Sequence, residues 1–187
     1  SSLSSAAPGV TGGSAPWFVS TQGGLPEFLP TGAGCILLVD PSVNPATGDV
    51  LLVHSSCPKA ADEGIYLHPI NGDAPIKLID RGYGAGAVDP ALQKASRLAD
   101  GSGFIFVGNV DVERGANTDV TGSILVYDME TEKVSVLFSP DADTDVRSAT
   151  IAPNGDGIVY CLAHDNLLDL HVIDLTVDPA EESAITD

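Results

Sequence analysis

Positive charge is scarce in this 187-residue chain: eight lysines and arginines stand against 26 aspartates and glutamates, a formal net charge of −18. A phosphate backbone or an anionic membrane surface would be repelled by that field, which excludes nucleic acid and acidic lipid as partners. Long apolar runs are also missing. The longest candidate, Cys35-Ile-Leu-Leu-Val39, is the size of a strand, far short of the roughly 18 to 20 residues that a spanning helix needs. Cysteines number three, and Cys35, Cys57 and Cys161 form no CxxC, no CxxCH and no sequence cluster with histidine. Zinc, thioredoxin-like chemistry and c-type haem therefore lack support. No Gly-x-Ser-x-Gly elbow surrounds Ser55-Ser56, and Gly82-Tyr-Gly-Ala-Gly86 does not stand between a strand and a helix, so its glycines serve a turn better than a phosphate. No stretch carries a catalytic signature.

What is present is a strand grammar. Hydrophobic residues make up 43% of the chain, enough for one substantial core. Gly122-Ser-Ile-Leu-Val-Tyr-Asp128 alternates apolar with small or polar residues, crosses Met-Glu-Thr-Glu, and resumes as Lys133-Val-Ser-Val-Leu-Phe138, the pattern of a hairpin. A similar pair lies at Gly64-Ile-Tyr-Leu-His-Pro-Ile70 and Pro75-Ile-Lys-Leu-Ile79 around Asn71-Gly72-Asp73, and a third element at Leu168–Leu175. Ahead of each lies a strand, a turn and an apolar strand. These are Cys35–Val43, Asn44–Asp49 and Val50–Ser55; then Gly86–Pro90, Ala99–Gly103 and Phe104–Val107; then Val146–Ile151, Ala152–Gly157 and Ile158–Leu162. Matching the turns at Gly48, Gly103 and Gly157 gives intervals of 55 and 54 residues. Four short strands in a unit of that length predict a β-propeller blade.

The first 16 residues are rich in Ser, Ala, Gly and Pro and carry no charge. They are expected to be an irregular arm held against the body of the chain or against a neighbour. The arm looks like the new terminus left when a secretory signal is removed, so export, to an extracellular or periplasmic space, is the expected localisation. In an exported chain Cys35 and Cys57 are candidates for a disulfide closing about one blade's worth of sequence, while Cys161, inside Gly157-Ile-Val-Tyr-Cys-Leu162, reads as a buried small hydrophobe. Trp17-Phe18-Val19 holds the single Trp and reads as a core anchor or an extra strand.

Asp40-Pro-Ser-Val-Asn-Pro-Ala-Thr-Gly-Asp-Val-Leu-Leu-Val-His-Ser55 and Ile151-Ala-Pro-Asn-Gly-Asp-Gly-Ile-Val-Tyr160 resemble the Pro-Asp-Gly turn-and-strand signature of the TolB-like, WD40-like (PD40) propeller repeats. The strands around Ile65-Tyr66-Leu67, Ile124–Asp128 and Leu170–Asp174 are similar to that family's later strand, and the match spans about residues 35 to 187. The second unit departs from it with Ala-Asp-Gly, and insertions occur at 56–63 and 111–121. The resemblance implies an all-β, propeller-like array of about three four-stranded antiparallel blades, at about 35–80, 86–139 and 146–187, within a domain of residues 17–187 behind the arm at 1–16. It implies little about function, because such propellers serve as binding scaffolds, accessory domains of peptidases and parts of enzymes. Three blades do not close a ring, so exposed sheet faces must be covered by more chain, by further copies or by a partner.

Chemistry, if any, belongs to loops. Asp141-Ala-Asp-Thr-Asp145 offers the alternating carboxylates of a calcium loop through Asp141, Asp143 and Asp145, yet its sixth position is Val146 and its twelfth Ala152, where such a loop has Gly and Glu. Asp111, Glu113 and Asp119 form a second cation candidate. The histidines His54, His68, His164 and His171 sit on or beside strands and read as core or rim residues, with His164-Asp165 a candidate acid/base pair. The function expected is that of an extracellular or periplasmic non-catalytic binding or structural module. It would assemble with itself or with another protein through blade edges and the arm, without membrane insertion, and require no cofactor unless calcium. The alternative is a fragment or subunit of a propeller hydrolase or lactonase with a divalent metal in its channel.

Overall fold

The computed structural model describes residues 17–19, 25, 27–28, 35–44, 47–55, 57–70, 73–80, 95–108, 122–141, 143–165, 167–177 and 181–184. The arm at 1–16, the Gly82–Gly86 and Gly86–Pro90 stretches and the acidic insertion with Asp111, Glu113 and Asp119 lie outside these residues. Fourteen strands, β1 to β14, form among the described residues, with a single 3-10 turn at Ala60–Asp62. β3 (Ile36–Val43), β4 (Asp49–Ser55), β5 (Gly64–Pro69) and β6 (Ile76–Asp80) make the first sheet. β7 (Ser96–Arg97), β8 (Gly103–Gly108), β9 (Ser123–Asp128) and β10 (Lys133–Phe138) make the second. β11 (Asp145–Ile151), β12 (Gly157–His164), β13 (Leu167–Asp174) and β14 (Glu181–Ala184) make the third. Every sheet is an antiparallel meander with strands in chain order, the topology of a propeller blade. β1 (Trp17–Phe18) and β2 (Glu27–Phe28) pair only with each other, so the Trp17 segment is an extra strand outside the blades.

The three inner turns share one hydrogen-bond pattern. The amide of Asn44, Leu98 or Ala152 donates to the carbonyl of Asp49, Gly103 or Gly157 at 3.0, 2.9 and 2.8 Å. A glycine amide, from Gly48, Gly101 or Gly155, donates back to the residue that opens the turn. All three glycines have positive φ, 74°, 76° and 80°, where a Cβ would be strained. The closing bonds make Asn44, Leu98 and Ala152 equivalent, and likewise Asp49, Gly103 and Gly157, so the alignment of Gly48 on Gly103 and Gly157 is one residue out and the repeat intervals are 54 and 54 residues. The left-handed glycine is the fifth residue of the first turn and the fourth of the other two.

The sheets stack face to face. Leu51, Val53, Ile65, Leu67 and Ile79 of the first sheet pack on Phe104, Phe106, Leu125 and Tyr127 of the second. The opposite side of the second sheet sends Ile105, Val107 and Ile124 against Val146, Ala149, Ile158, Tyr160 and Ile173 of the third. Alternation along β8 therefore feeds two cores, and all six of its residues are buried. Polar stitches join the inner strands: Ile151 donates its amide to Ser96 Oγ at 3.1 Å, and Arg97 Nη2 donates to the carbonyl of Asp49 at 3.4 Å.

The outer faces of the stack differ. Val50 and Leu52 of the first sheet, turned away from the second, are 5% and 0% exposed. On the third sheet, Leu168 and Leu170 are 65% and 42% exposed, and Val159, Cys161, Ala163 and Val172 beside them are only half-buried. Cys161 is therefore a free thiol on an open sheet face rather than a core residue, because alternation along β12 turns it away from Tyr160 and Ile158.

Candidate functional site: a disulfide beside a histidine pair

The first blade carries the one gathering of potential metal-binding or redox side chains among the described residues. Cys35 lies just before β3 and Cys57 just after β4, and antiparallel pairing of Ile36 with Ser55 brings the two ends together in a disulfide across a separation of 22 residues. His54, next to the end of β4, places a ring nitrogen within 4.8 Å of both sulfurs. The sequence showed no Cys/His cluster; the fold assembles one from two strand ends. The signal that could have found it is positional, a Cys before one strand and a His and a Cys closing the next.

His68 joins from β5. In the β4–β5 register, His54 pairs with Gly64 and Val50 with His68, so both imidazoles emerge on the same face, the one turned away from the second sheet. Their Nε2 atoms are 3.1 Å apart; one ring donates its N–H and the other accepts through its lone pair. Both side chains are buried, His54 at 4% and His68 at 2% exposure. Burial pushes each pKa down to about 4, against a pull from Asp62 on His54 and with a further push from His54 on His68. At neutral pH the pair is uncharged.

The loop 57–63 is fastened over this corner. Glu63 is buried and its Oε1 accepts the Cys57 amide at 3.1 Å. Tyr66 stacks on His54 with ring centroids 4.2 Å apart and donates its hydroxyl to the carbonyl of Asp62 at 3.1 Å. Lys77 Nζ donates to the carbonyl of Ala61 at 2.8 Å, pairs with Asp80, and lies 5.7 Å over the Tyr66 ring. Chemically the corner offers two sulfurs and imidazole nitrogen in a largely buried setting.

The other sequence candidates stand apart from it. Asp141 and Asp143 are exposed. Asp145 accepts the Gly122 amide on one carboxylate oxygen and pairs with Arg147 at 2.9 Å through the other, so it ties the second sheet to the third. His164 meets Asp169 at 2.5 Å across the β12–β13 hairpin, not its neighbour Asp165, which has a φ of 47° at the turn. His171 lies 5.3 Å from the Tyr160 ring, in contact with the core between the second and third sheets.

Three stacked four-stranded meanders define an all-β, propeller-like array of blades, and comparison with known proteins agrees. No family model and no curated protein sequence matches the chain. Among solved structures it is similar to one described as a TolB from Agrobacterium tumefaciens, with TM-score 0.62 and 16% identity over 92% of this chain and 55% of that one. It is also similar to a prolyl endopeptidase, with TM-score 0.63 and 12% identity over 91% of this chain and 26% of the other. A puromycin-hydrolysing peptidase of Mycobacterium tuberculosis gives TM-score 0.55 and 14% identity over 87% of this chain and 23% of that one. The chain thus has a TolB-like propeller fold and spans about half, or a quarter, of the structures it resembles.

Proposed function

We propose that this chain is a non-catalytic assembly module working in an extracellular or periplasmic space, which associates through the open face of its third sheet. The observation that carries the reading is the exposure of Leu168 and Leu170 on that face, while the faces between the sheets are closed by apolar packing and Val50 and Leu52 on the first sheet's outer face are buried. Its natural occupant is the same face of a second copy. Among the described residues the first sheet's outer face buries Val50 and Leu52 and offers head-to-tail stacking no exposed apolar partner, whereas two third sheets can meet back to back about a twofold axis. The Cys35–Cys57 disulfide suits an oxidising compartment, and no helix among the described residues is long and apolar enough to cross a membrane. The arm at 1–16 and the edge strands β6 and β10, with Ile76 and Val136 about half exposed, belong to the same reading as further contact surfaces.

Light scattering on the purified chain tests it. Twice the monomer mass, returning to the monomer mass in Leu168→Asp/Leu170→Asp, is the expected result; a wild-type monomer at high concentration and moderate salt sinks the reading. A second reading, the propeller part of a hydrolase, is favoured by the likeness to the two peptidase chains, of which this one spans about a quarter. On that reading the third sheet receives another blade, and the isolated chain hydrolyses no peptide substrate by itself.

A further inference from the structure

The disulfide corner of the first blade holds more ligand atoms than a structural cross-link requires. We propose that, when the Cys35–Cys57 bond is reduced, Cys35, Cys57 and His54 form a binding site for a thiophilic divalent ion of the zinc class, with His68 completing the set. One ligand atom from each of Cys35, His54 and Cys57 already lies within 4.8 Å of the others, while His68 stands outside that group and touches it only through His54. The Nε2 atoms of His54 and His68 are 3.1 Å apart, close to the edge of a tetrahedron whose zinc–nitrogen bonds are about 2.0 to 2.1 Å, which comes to roughly 3.3 Å. Two thiolates and two imidazoles are the donor set of many closed structural zinc sites.

The backbone permits the exchange. Both cysteines sit just outside their strands, Cys35 before Ile36 and Cys57 beyond Ser55, so their sulfurs can separate to the spacing of two zinc-bound thiolates without breaking the β3–β4 ladder. His54, by contrast, is held in β4 beside both sulfurs, while His68 on β5 must give up its hydrogen bond to His54, shift its proton to Nδ1 and turn its ring to join the set. Cys35, His54 and His68 are buried and Cys57 half-buried, which limits the access of water to the ion.

The chemistry balances. A dithiol reductant gives two electrons and two protons to the disulfide; the S–S bond breaks, two thiols form, and the reductant leaves as its own disulfide. Binding of the ion then releases both thiol protons to solvent. The corner is thereby a cross-link in one redox state and a metal site in the other. This inference is independent of the assembly reading, since the first blade's corner lies on a different sheet from the open face.

The test uses the full chain, reduced with a phosphine that binds no zinc and kept anaerobic, against the oxidised chain. Zinc is titrated in competition with a chromophoric chelator, and cobalt(II) serves as the spectroscopic probe. The expected result is one ion per reduced chain with a thiolate-to-cobalt charge-transfer band, none per oxidised chain, and at least tenfold weaker binding in Cys57→Ser and in His54→Gln. His68→Ala should also weaken binding at least tenfold; unchanged affinity would remove His68 from the set. Equal binding by oxidised and reduced chains, or by Cys35→Ser/Cys57→Ser and wild type, overturns the proposal. Should reduction unfold the chain, far-UV circular dichroism decides: refolding on stoichiometric zinc supports the site, and its failure overturns it.

Discussion

At the scale of single residues, the turn glycines and the histidine pair carry the sharpest consequences. Gly101 and Gly155 occupy left-handed backbone at φ 76° and 80°, and a Cβ on Gly155 would also stand 2.6 Å from that of Ala99 in the adjoining blade's turn. Gly101→Ala should therefore cost about 1 to 2 kcal/mol in urea denaturation, and Gly155→Ala more, since it adds a clash to the strain. The histidines set a pH dependence. Their folded pKa values lie near 4, below the ordinary 6.5, so the unfolded chain binds more protons between those limits and stability falls as pH drops through them. The contribution is whole above about pH 6.5 and is lost on approach to pH 4, at up to about 3 kcal/mol for each ring. Asp62, Lys77 and Tyr66 face the pair and modulate the slope. In the disulfide-bonded chain, urea midpoints measured from pH 7.5 to 4 should show this fall, and His54→Leu/His68→Leu should flatten it; an unchanged slope would place the acid sensitivity elsewhere.

Among elements, β8 decides most. Phe104 and Phe106 fill one core while Ile105 and Val107 fill the other, so a single strand glues three blades. Phe106→Ala should cost about 3 to 5 kcal/mol by opening a cavity between the first and second sheets. A loss under about 1 kcal/mol in equilibrium unfolding would mean that those sheets do not pack as described. The disulfide acts on the first sheet: a cross-link of this loop length restricts the unfolded chain by about 3 kcal/mol, and reduction without metal should lower stability by that order. Most strands were legible in the sequence because apolar alternation and turn glycines bracket them. β9 begins one residue after the expected start, and β10 and β11 fall within one residue of it. β7, only Ser96–Arg97, and β14, Glu181–Ala184, were not legible; they lack apolar alternation and exist because a neighbouring strand presents them with a ladder.

For the whole molecule, charge and apolar surface oppose each other. A net charge of −18 repels a second copy, while the exposed leucines of the third sheet are the surface through which the proposed dimer would form. Screening should shift that balance, so the dimer fraction is expected to rise between low salt and about 0.5 M, where the Debye length falls to a few ångströms. Analytical ultracentrifugation across that series checks it. A dimer that dissociates with salt would show that ion pairs, not apolar burial, hold the copies together.

The order of strands, the repeat length near 54 residues and the all-β architecture were determined by the chain alone, since each rests on local patterns of alternation and turn chemistry within a few residues. Which turn residues correspond was decided by hydrogen bonding, because only the backbone shows that Gly103 and Gly157 match Asp49 rather than Gly48, and that the left-handed glycines are Gly48, Gly101 and Gly155. The Cys35–Cys57 pairing was a candidate in the sequence, but the placing of His54 and His68 beside it was decided by tertiary structure. The histidines carry no metal-site spacing with the cysteines, and it is the register of β3 on β4 and of β4 on β5 that brings the four positions to one corner. Pairing across strands converts sequence distance into contact, and no local pattern encodes it.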